Sequence, residues 1–174
     1  MKRLLLLRHA KSLRDDAPKD KDRPLNERGR DDAPRMGGHM HHRGYLPQLV
    51  LCSTAKRTVE TWELLGPELG PSTRIRFTDA LYLAPVPVME KLIRTVDNEV
   101  STLLVIGHNP GMEECAQSLA REPATDHEHK FAAALQVKFP TCALAVLDFD
   151  APRWDALTSG RLIDFVRPKD LKEK

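Results

Sequence analysis

The feature that most constrains this chain is a set of short, unbroken apolar runs, two of which stop at a histidine. Leu4-Leu5-Leu6-Leu7 runs into Arg8-His9, and Thr102-Leu103-Leu104-Val105-Ile106 runs into Gly107-His108. A run with no polar alternation has both faces to bury, which suits a strand of a parallel sheet covered by helices on either side. Leu49-Val50-Leu51-Cys52 is a further run of this kind, and Ile75-Arg76-Phe77, Cys142 to Phe149 and Leu162 to Val166 read as additional strands.

Helical segments fall between these runs. Leu25 opens a segment that can be helical to Arg43, with Gly44 as its stop signal and with Pro34 and Gly37-Gly38 speaking against it. Ser53-Thr54 offers an N-cap for a helix reaching Leu65, with Val59, Trp62 and Leu65 on one apolar face and Gly66-Pro67 ending it. Pro87 to Val96 predicts a helix with Val88, Leu92 and Val96 on one side. Asn109 can cap a helix over residues 112 to 121, with Pro110 at its first position. Residues 14 to 24, and His127 and His129 with Glu128 and Lys130, read as polar loops. Strands alternating with helices predict an α/β fold with a largely parallel sheet.

The 174 residues suit one domain, spanning 1–174. With 41% apolar and 30% charged residues, a globular chain is expected. A net charge of only +2 argues against the dense basic face of a nucleic-acid binder. Cys52, Cys115 and Cys142 form no CxxC pair and sit in apolar stretches, so they are expected in the core of a protein from a reducing compartment. Met1 to Leu7 imitates the opening of a signal peptide, but the apolar run ends at Arg8-His9. No later stretch approaches the ~20 apolar residues of a membrane span. A cytoplasmic protein without membrane or nucleic-acid partners is expected, as a monomer, since no obligate partner surface is evident.

In open α/β sheets, ligands bind outside the carboxyl ends of strands. Arg8 and His9 follow the first apolar run, His108 follows the clearest one, and Arg57 falls in the first turn of the helix after Leu49–Cys52. These strand ends can bring two histidines and two arginines to one rim. Arginine forks bind phosphate oxygens. A neutral imidazole is a competent nucleophile near neutral pH. Arg8, Arg57 and a protonated His108 would balance charge on the equatorial oxygens during attack at phosphorus. Helix N-termini after Ser53 and Asn109 can add N–H donors. The scheme needs no metal and no cofactor.

Leu7-Arg8-His9-Ala10-Lys11-Ser12 resembles the Arg-His-Gly signature of the histidine phosphatase superfamily. Ser53-Thr54-Ala55-Lys56-Arg57-Thr58 resembles its second block, and Val105-Ile106-Gly107-His108-Asn109-Pro110-Gly111 its third. Within that superfamily the chain is similar to the short SixA-like phosphohistidine phosphatases. The segments carrying this are Asp22-Arg23-Pro24-Leu25-Asn26-Glu27-Arg28-Gly29, Ala80-Leu81-Tyr82-Leu83-Ala84, Trp154-Asp155-Ala156-Leu157 and Arg167-Pro168-Lys169-Asp170-Leu171. The resemblance implies a three-layer α/β/α sandwich with a mostly parallel mixed sheet, as in phosphoglycerate mutase. It also implies His9 as nucleophile, Arg8 and Arg57 as holders of the phosphoryl group, and His108 as stabiliser of the transition state.

This chain departs from the pattern in two ways. Ala10 stands where the motif usually has glycine, so a methyl group must fit beside the phosphate. The carboxylic acid that mutase-like relatives use to protonate an alkoxide has only Asp79 as a counterpart. A missing acid fits a phosphoramidate such as protein phosphohistidine, whose leaving group is already good. The competing expectations are a phosphatase of small phosphomonoesters, such as a sugar phosphate or nucleotide, and a phosphate-binding module without turnover. Lys11 and Ser12 flank the motif without an assigned role. Glu113 and Glu114 read as solvated first-turn acids. His39-Met40-His41-His42 lacks the spacing and partners of a zinc site and reads as a basic helix face.

Overall fold

The computed structural model describes residues 1–14 and 19–171. Six strands form one mixed sheet: β1 (Lys2–Arg8), β2 (Leu49–Ser53), β3 (Arg74–Thr78), β4 (Thr102–Gly107), β5 (Leu144–Phe149) and β6 (Arg161–Val166), in the spatial order β3-β2-β4-β1-β5-β6. β3, β2, β4 and β1 pair in parallel, while β5 runs antiparallel to both β1 and β6. The sheet is therefore mostly parallel and mixed. The long apolar runs occupy its centre because only there are both faces covered.

Alternation along β1 divides its leucines between two cores. Leu4 and Leu6 pack with Leu103, Val105, Ala145 and Leu147 under α3 (Val86–Arg94), α4 (Gly111–Leu119) and α5 (Asp126–Val137). Leu5 and Leu7 pack with Val50, Cys52, Leu104 and Ile106 under α1 (Glu27–Arg43) and α2 (Lys56–Leu65). Adjacent residues of a strand point to opposite faces, so one unbroken leucine run serves both layers. The result is the expected three-layer α/β/α sandwich. Cys52, Cys115 and Cys142 are all buried and unpaired.

Several local expectations change. α1 is continuous to Arg43 despite Pro34, with the Asn26 side chain accepting from Gly29 N–H and Gly44 closing the helix in the left-handed region at φ 74°. Gly37 has a packing reason: a Cβ there would lie 2.8 Å from the Leu65 carbonyl oxygen at the end of α2. The buried residues of α2 are Arg57, Thr58, Thr61 and Leu65, whereas Val59 and Trp62 are only half-buried. Its N-cap is Ala55 rather than Ser53-Thr54. α3 buries Met89 and Ile93, which leaves Val88 exposed. His127 and His129 lie in α5 rather than in a loop, because Thr125 caps that helix by accepting from Glu128 N–H. Among the described residues, no helix is long and apolar enough to cross a membrane.

The adjacent glycines of α1 provide a test of its packing. Gly37→Ala is expected to lower unfolding free energy by about 1–3 kcal/mol through overpacking against α2. Gly38→Ala, where an added Cβ meets nothing within 4 Å, is expected to raise it by about 0.5–1 kcal/mol through helix propensity. Urea unfolding of the two variants measures both.

Candidate active site

The register of three neighbouring strands builds the site. Arg8 of β1 stands opposite Gly107 of β4, and the His9 N–H continues the ladder to the Gly107 carbonyl at 3.1 Å. The next residue on each strand is a histidine. Parallel strands lie about 4.8 Å apart, so His9 and His108 emerge side by side with ring centroids 5.4 Å apart. On the other flank of β4, Cys52 pairs with Ile106. Ser53 thus reaches His108, with its Oγ 2.7 Å from His108 Nε2. Arg57 enters from the first turn of α2 and is 2% exposed. All four predicted residues converge at the carboxyl ends of β1, β2 and β4.

Hydrogen bonds assign the ring protons. His9 Nδ1 lies 2.7 Å from the Ala10 carbonyl oxygen, which can only accept. The proton therefore sits on Nδ1, and Nε2 keeps its lone pair. Ser53 Oγ accepts from Ala55 N–H at 3.3 Å and lies 2.7 Å from His108 Nε2, to which its hydroxyl proton can be donated. In that arrangement the His108 ring proton lies on Nδ1, which is buried without a partner. Arg8 Nε and Arg57 Nε share that condition. Three of the four buried, unpartnered side-chain nitrogens among the described residues belong to this cluster; the fourth is His39 Nε2. Buried donors are nearly always satisfied, so this concentration marks a place built to receive an acceptor.

Both guanidinium groups are anchored through terminal nitrogens. Arg57 donates to the Asp20 backbone carbonyl at 2.8 Å and to its carboxylate at 3.1 Å. The Tyr82 hydroxyl also donates to that carboxylate, and the Tyr82 ring meets His108 edge-on with centroids 5.5 Å apart. The Tyr82 hydrogen bond, followed by the Arg57 contacts, holds the Asp20 carboxyl down at about 2. Arg8 Nη1 donates to the Phe139 carbonyl at 3.0 Å. Asp20, Tyr82, Ser53 and Thr61 are the site residues that sequence reasoning missed. Tyr82 lay inside a segment recognised by resemblance, and Ser53 was read as a cap. Asp20 stood in a charged loop with no distinguishing signal.

The Ala10 methyl does not crowd the site. It is fully buried in the core beneath α1 and α2. The Ala10 N–H donates to Thr61 Oγ1 at 3.0 Å, and the Thr61 hydroxyl donates to the Arg57 carbonyl at 2.7 Å, which ties the segment after β1 to α2. Ser12 accepts from Arg23 at 2.9 Å. The N-cap of α4 is Pro110 rather than Asn109, so Pro110 precedes the first helical position, although Asn109 accepts from Glu113 N–H at 3.1 Å. Glu113 is not a merely solvated acid: it accepts from Phe139 N–H at 2.9 Å. Asp79 is 80% exposed. Thr54 and then Lys21 hold it below the usual carboxylate range, so it stays ionised. His41 Nδ1 lies 2.9 Å from the Glu68 carbonyl oxygen. Among the described residues, no three or more His, Cys, Asp or Glu side chains gather where they could hold a metal ion.

Burial first, and the neighbouring His108, Arg57 and Arg8 next, push His9 down to about 3. Burial and then Arg57 do the same to His108, also to about 3. Both rings are therefore neutral at pH 7 in the ligand-free protein. The protonated His108 expected during attack at phosphorus therefore needs the bound phosphoryl group to raise its pKa, since burial and then Arg57 lower it beforehand.

The N-terminal part of the chain, residues 4–82, matches the profile of the histidine phosphatase superfamily, branch 1. SixA of Agrobacterium tumefaciens, assigned as a phosphohistidine phosphatase, is 35% identical, with a TM-score of 0.79 over 96% of this chain and 98% of that one. The corresponding SixA of Nakamurella multipartitia is 29% identical, with a TM-score of 0.80 over 96% of each chain. An uncharacterised protein of Mycobacterium tuberculosis H37Rv is 41% identical over 168 residues, covering 94% of this chain and all of the relative. The chain belongs to the histidine phosphatase superfamily and is a phosphatase with its phosphoglycerate-mutase-like α/β fold. Within that superfamily it is SixA-like.

The depressed histidines make stability depend on pH. Between about 6.5, the unfolded value, and about 3, the unfolded chain binds protons that the native rings refuse. Stability contributed by the neutral rings is thus full above the unfolded value and falls as pH drops through that window. On this basis His108→Gln should lose about 2 kcal/mol less than the wild type between pH 7 and pH 5, read from urea midpoints at the two pH values.

Proposed function

We propose that this phosphatase uses His9 Nε2 as its nucleophile and that its substrate is phosphohistidine in a protein. The observation that carries the first part is the trio of buried, unpartnered donors, Arg8 Nε, Arg57 Nε and His108 Nδ1, beside a His9 ring whose other nitrogen is committed to Ala10. A phosphoryl group placed among them accepts those bonds and meets the Nε2 lone pair. Two guanidinium groups balance its charge in a site shielded from water, where such pairing is strongest.

In the first step the Nε2–P bond forms as the bond from phosphorus to the leaving group breaks. The Ala10 carbonyl holds the Nδ1 proton throughout. Water then attacks phosphorus, the Nε2–P bond breaks, and phosphate leaves with His9 back in its starting tautomer. Bound phosphate is an anion next to both rings, so it raises their pKa and restores to His108 the cationic character it lacks beforehand. The acid limb of kcat/KM, which reports the free enzyme, belongs below the ordinary histidine range because His9 is held at about 3.

The choice of phosphohistidine rests on the acids. Asp79 is solvated and ionised, and Asp20 is held ionised by Tyr82 and Arg57. Neither is poised to protonate an alkoxide. An imidazole protonated from water on its far nitrogen leaves as a neutral molecule and needs no such acid. The likeness to the SixA proteins of Agrobacterium and Nakamurella supports the same substrate class.

His9→Ala should abolish turnover of both a phosphohistidine peptide and an aryl phosphate; wild-type rates in this variant would remove His9 as nucleophile. Arg57→Ala should lower kcat/KM about 10²–10³-fold. Asp79→Asn should leave phosphohistidine hydrolysis within about twofold of the wild type, since a solvated ionised acid gives up no proton in the reaction. Steady-state kinetics on the three variants distinguishes these outcomes.

A further inference from the structure

Beside the phosphoryl site lies a second cavity of about 390 Å³. Of the ten described residues lining it, seven are lysine or arginine and none is acidic. The whole chain holds 27 lysines and arginines in 174 residues, so an average lining of ten would contain about one or two. A neighbouring cavity shows the ordinary pattern, with Glu27, Asp31 and Asp32 interleaved among Arg28, Arg35 and Lys169. In the basic cavity, Arg28 and Arg167 have carboxylate partners, Asp32 at 3.7 Å and Asp170 at 2.9 Å. Arg8, Lys11, Lys138 and Lys169 have none within ion-pair distance among the described residues. Like charges gathered without counter-charges repel one another, and an external anion offsets that repulsion.

Arg8 joins this cavity to the chemistry. It lines the basic cavity, and its charge acts on both His9 and His108. Lys11, two residues beyond His9, lines the same wall. A ligand whose phosphoryl group sits at His9 therefore has the cavity within reach of its next few atoms. The walls come from separate elements: the loop after β1, the start of α1, the segment 138–141 after α5, and the segment 167–169 after β6. Such a concave pocket suits one compact anionic group of a substrate.

We propose that the basic cavity is a specificity subsite that takes an aspartate or glutamate carboxylate flanking the phosphohistidine of the substrate protein. The proposal rests on the phosphohistidine reading above, because Asp and Glu are the anions an unmodified protein segment offers next to such a residue. Arginine and lysine bind a carboxylate by charge-assisted hydrogen bonds. The exposed rim lysines, Lys138 and Lys169, strengthen the encounter at low salt.

The test compares wild type with the double variant Lys138→Ala/Lys169→Ala on phosphohistidine peptides carrying Glu or Gln at flanking positions, with an aryl phosphate as reference. Wild type should favour the Glu peptide by roughly three- to tenfold in KM, with kcat similar and the preference shrinking as salt rises. The double variant should lose most of that preference and hydrolyse the aryl phosphate at the wild-type rate. Equal KM for Glu and Gln peptides in the wild type overturns the subsite while leaving the phosphohistidine reading intact. Hydrolysis of the aryl phosphate but of no phosphohistidine peptide overturns that reading and the subsite with it. A KM gain for a small bisphosphate that depends on the two lysines, with none for the Glu peptide, also overturns it in favour of a small polyanion.

Discussion

The parallel pairing of β1 with β4 is the constraint on which the site depends. Arg8 stands opposite Gly107, and each strand continues into a histidine whose neighbour lies one strand spacing away. A slip of one residue would turn Leu4–Leu7 inside out between the two cores and separate the rings. Burial on both faces makes such a slip prohibitive, because every leucine of the run is fully buried in a specific layer. The hydrophobic cores therefore set the distance between His9 and His108, and the chemistry inherits it.

Around that pair, three buried nitrogens lack partners while several neighbouring polar groups are tied back. Ser53 orients His108, Ala10 orients His9, and Thr61 links the segment after β1 to Arg57. Asp20 and Tyr82 hold the far side of the Arg57 guanidinium. Burial first, and the neighbouring guanidinium groups next, disfavour charge on both imidazoles, so they become neutral. A neutral His9 with its proton on Nδ1 keeps the Nε2 lone pair. The same electrostatics make the ligand-free site destabilising in acid, a conflict expected where function and stability compete.

Charge is also segregated beyond the site. A net charge of +2 conceals a basic cavity on one side of Arg8 and an acid, Asp20, against Arg57. Among the described residues, Arg8 lines a wall rich in lysine and arginine, while Arg57 is paired with Asp20.

The apolar runs, their punctuation and the histidines and arginines after them were legible in the sequence because each depends on neighbours in the chain. The strands, the layer order, the Gly44 helix stop and the meeting of Arg8, His9, Arg57 and His108 came from such local patterns, read with the family resemblance. What tertiary structure alone decided depends on residues distant in sequence. Gly37 and Pro34 discouraged a helix, yet α1 forms because packing against α2 outweighs local propensity and favours a glycine at the contact. Ser53 has the chemistry of a cap but serves His108, since the pairing of β2 with β4 brings it there. Asp20 had no sequence signal, because its role is defined by Arg57 and Tyr82, 37 and 62 residues away. The neutrality of His108 likewise arises from burial beside Arg57, an environment that exists only once the chain has folded.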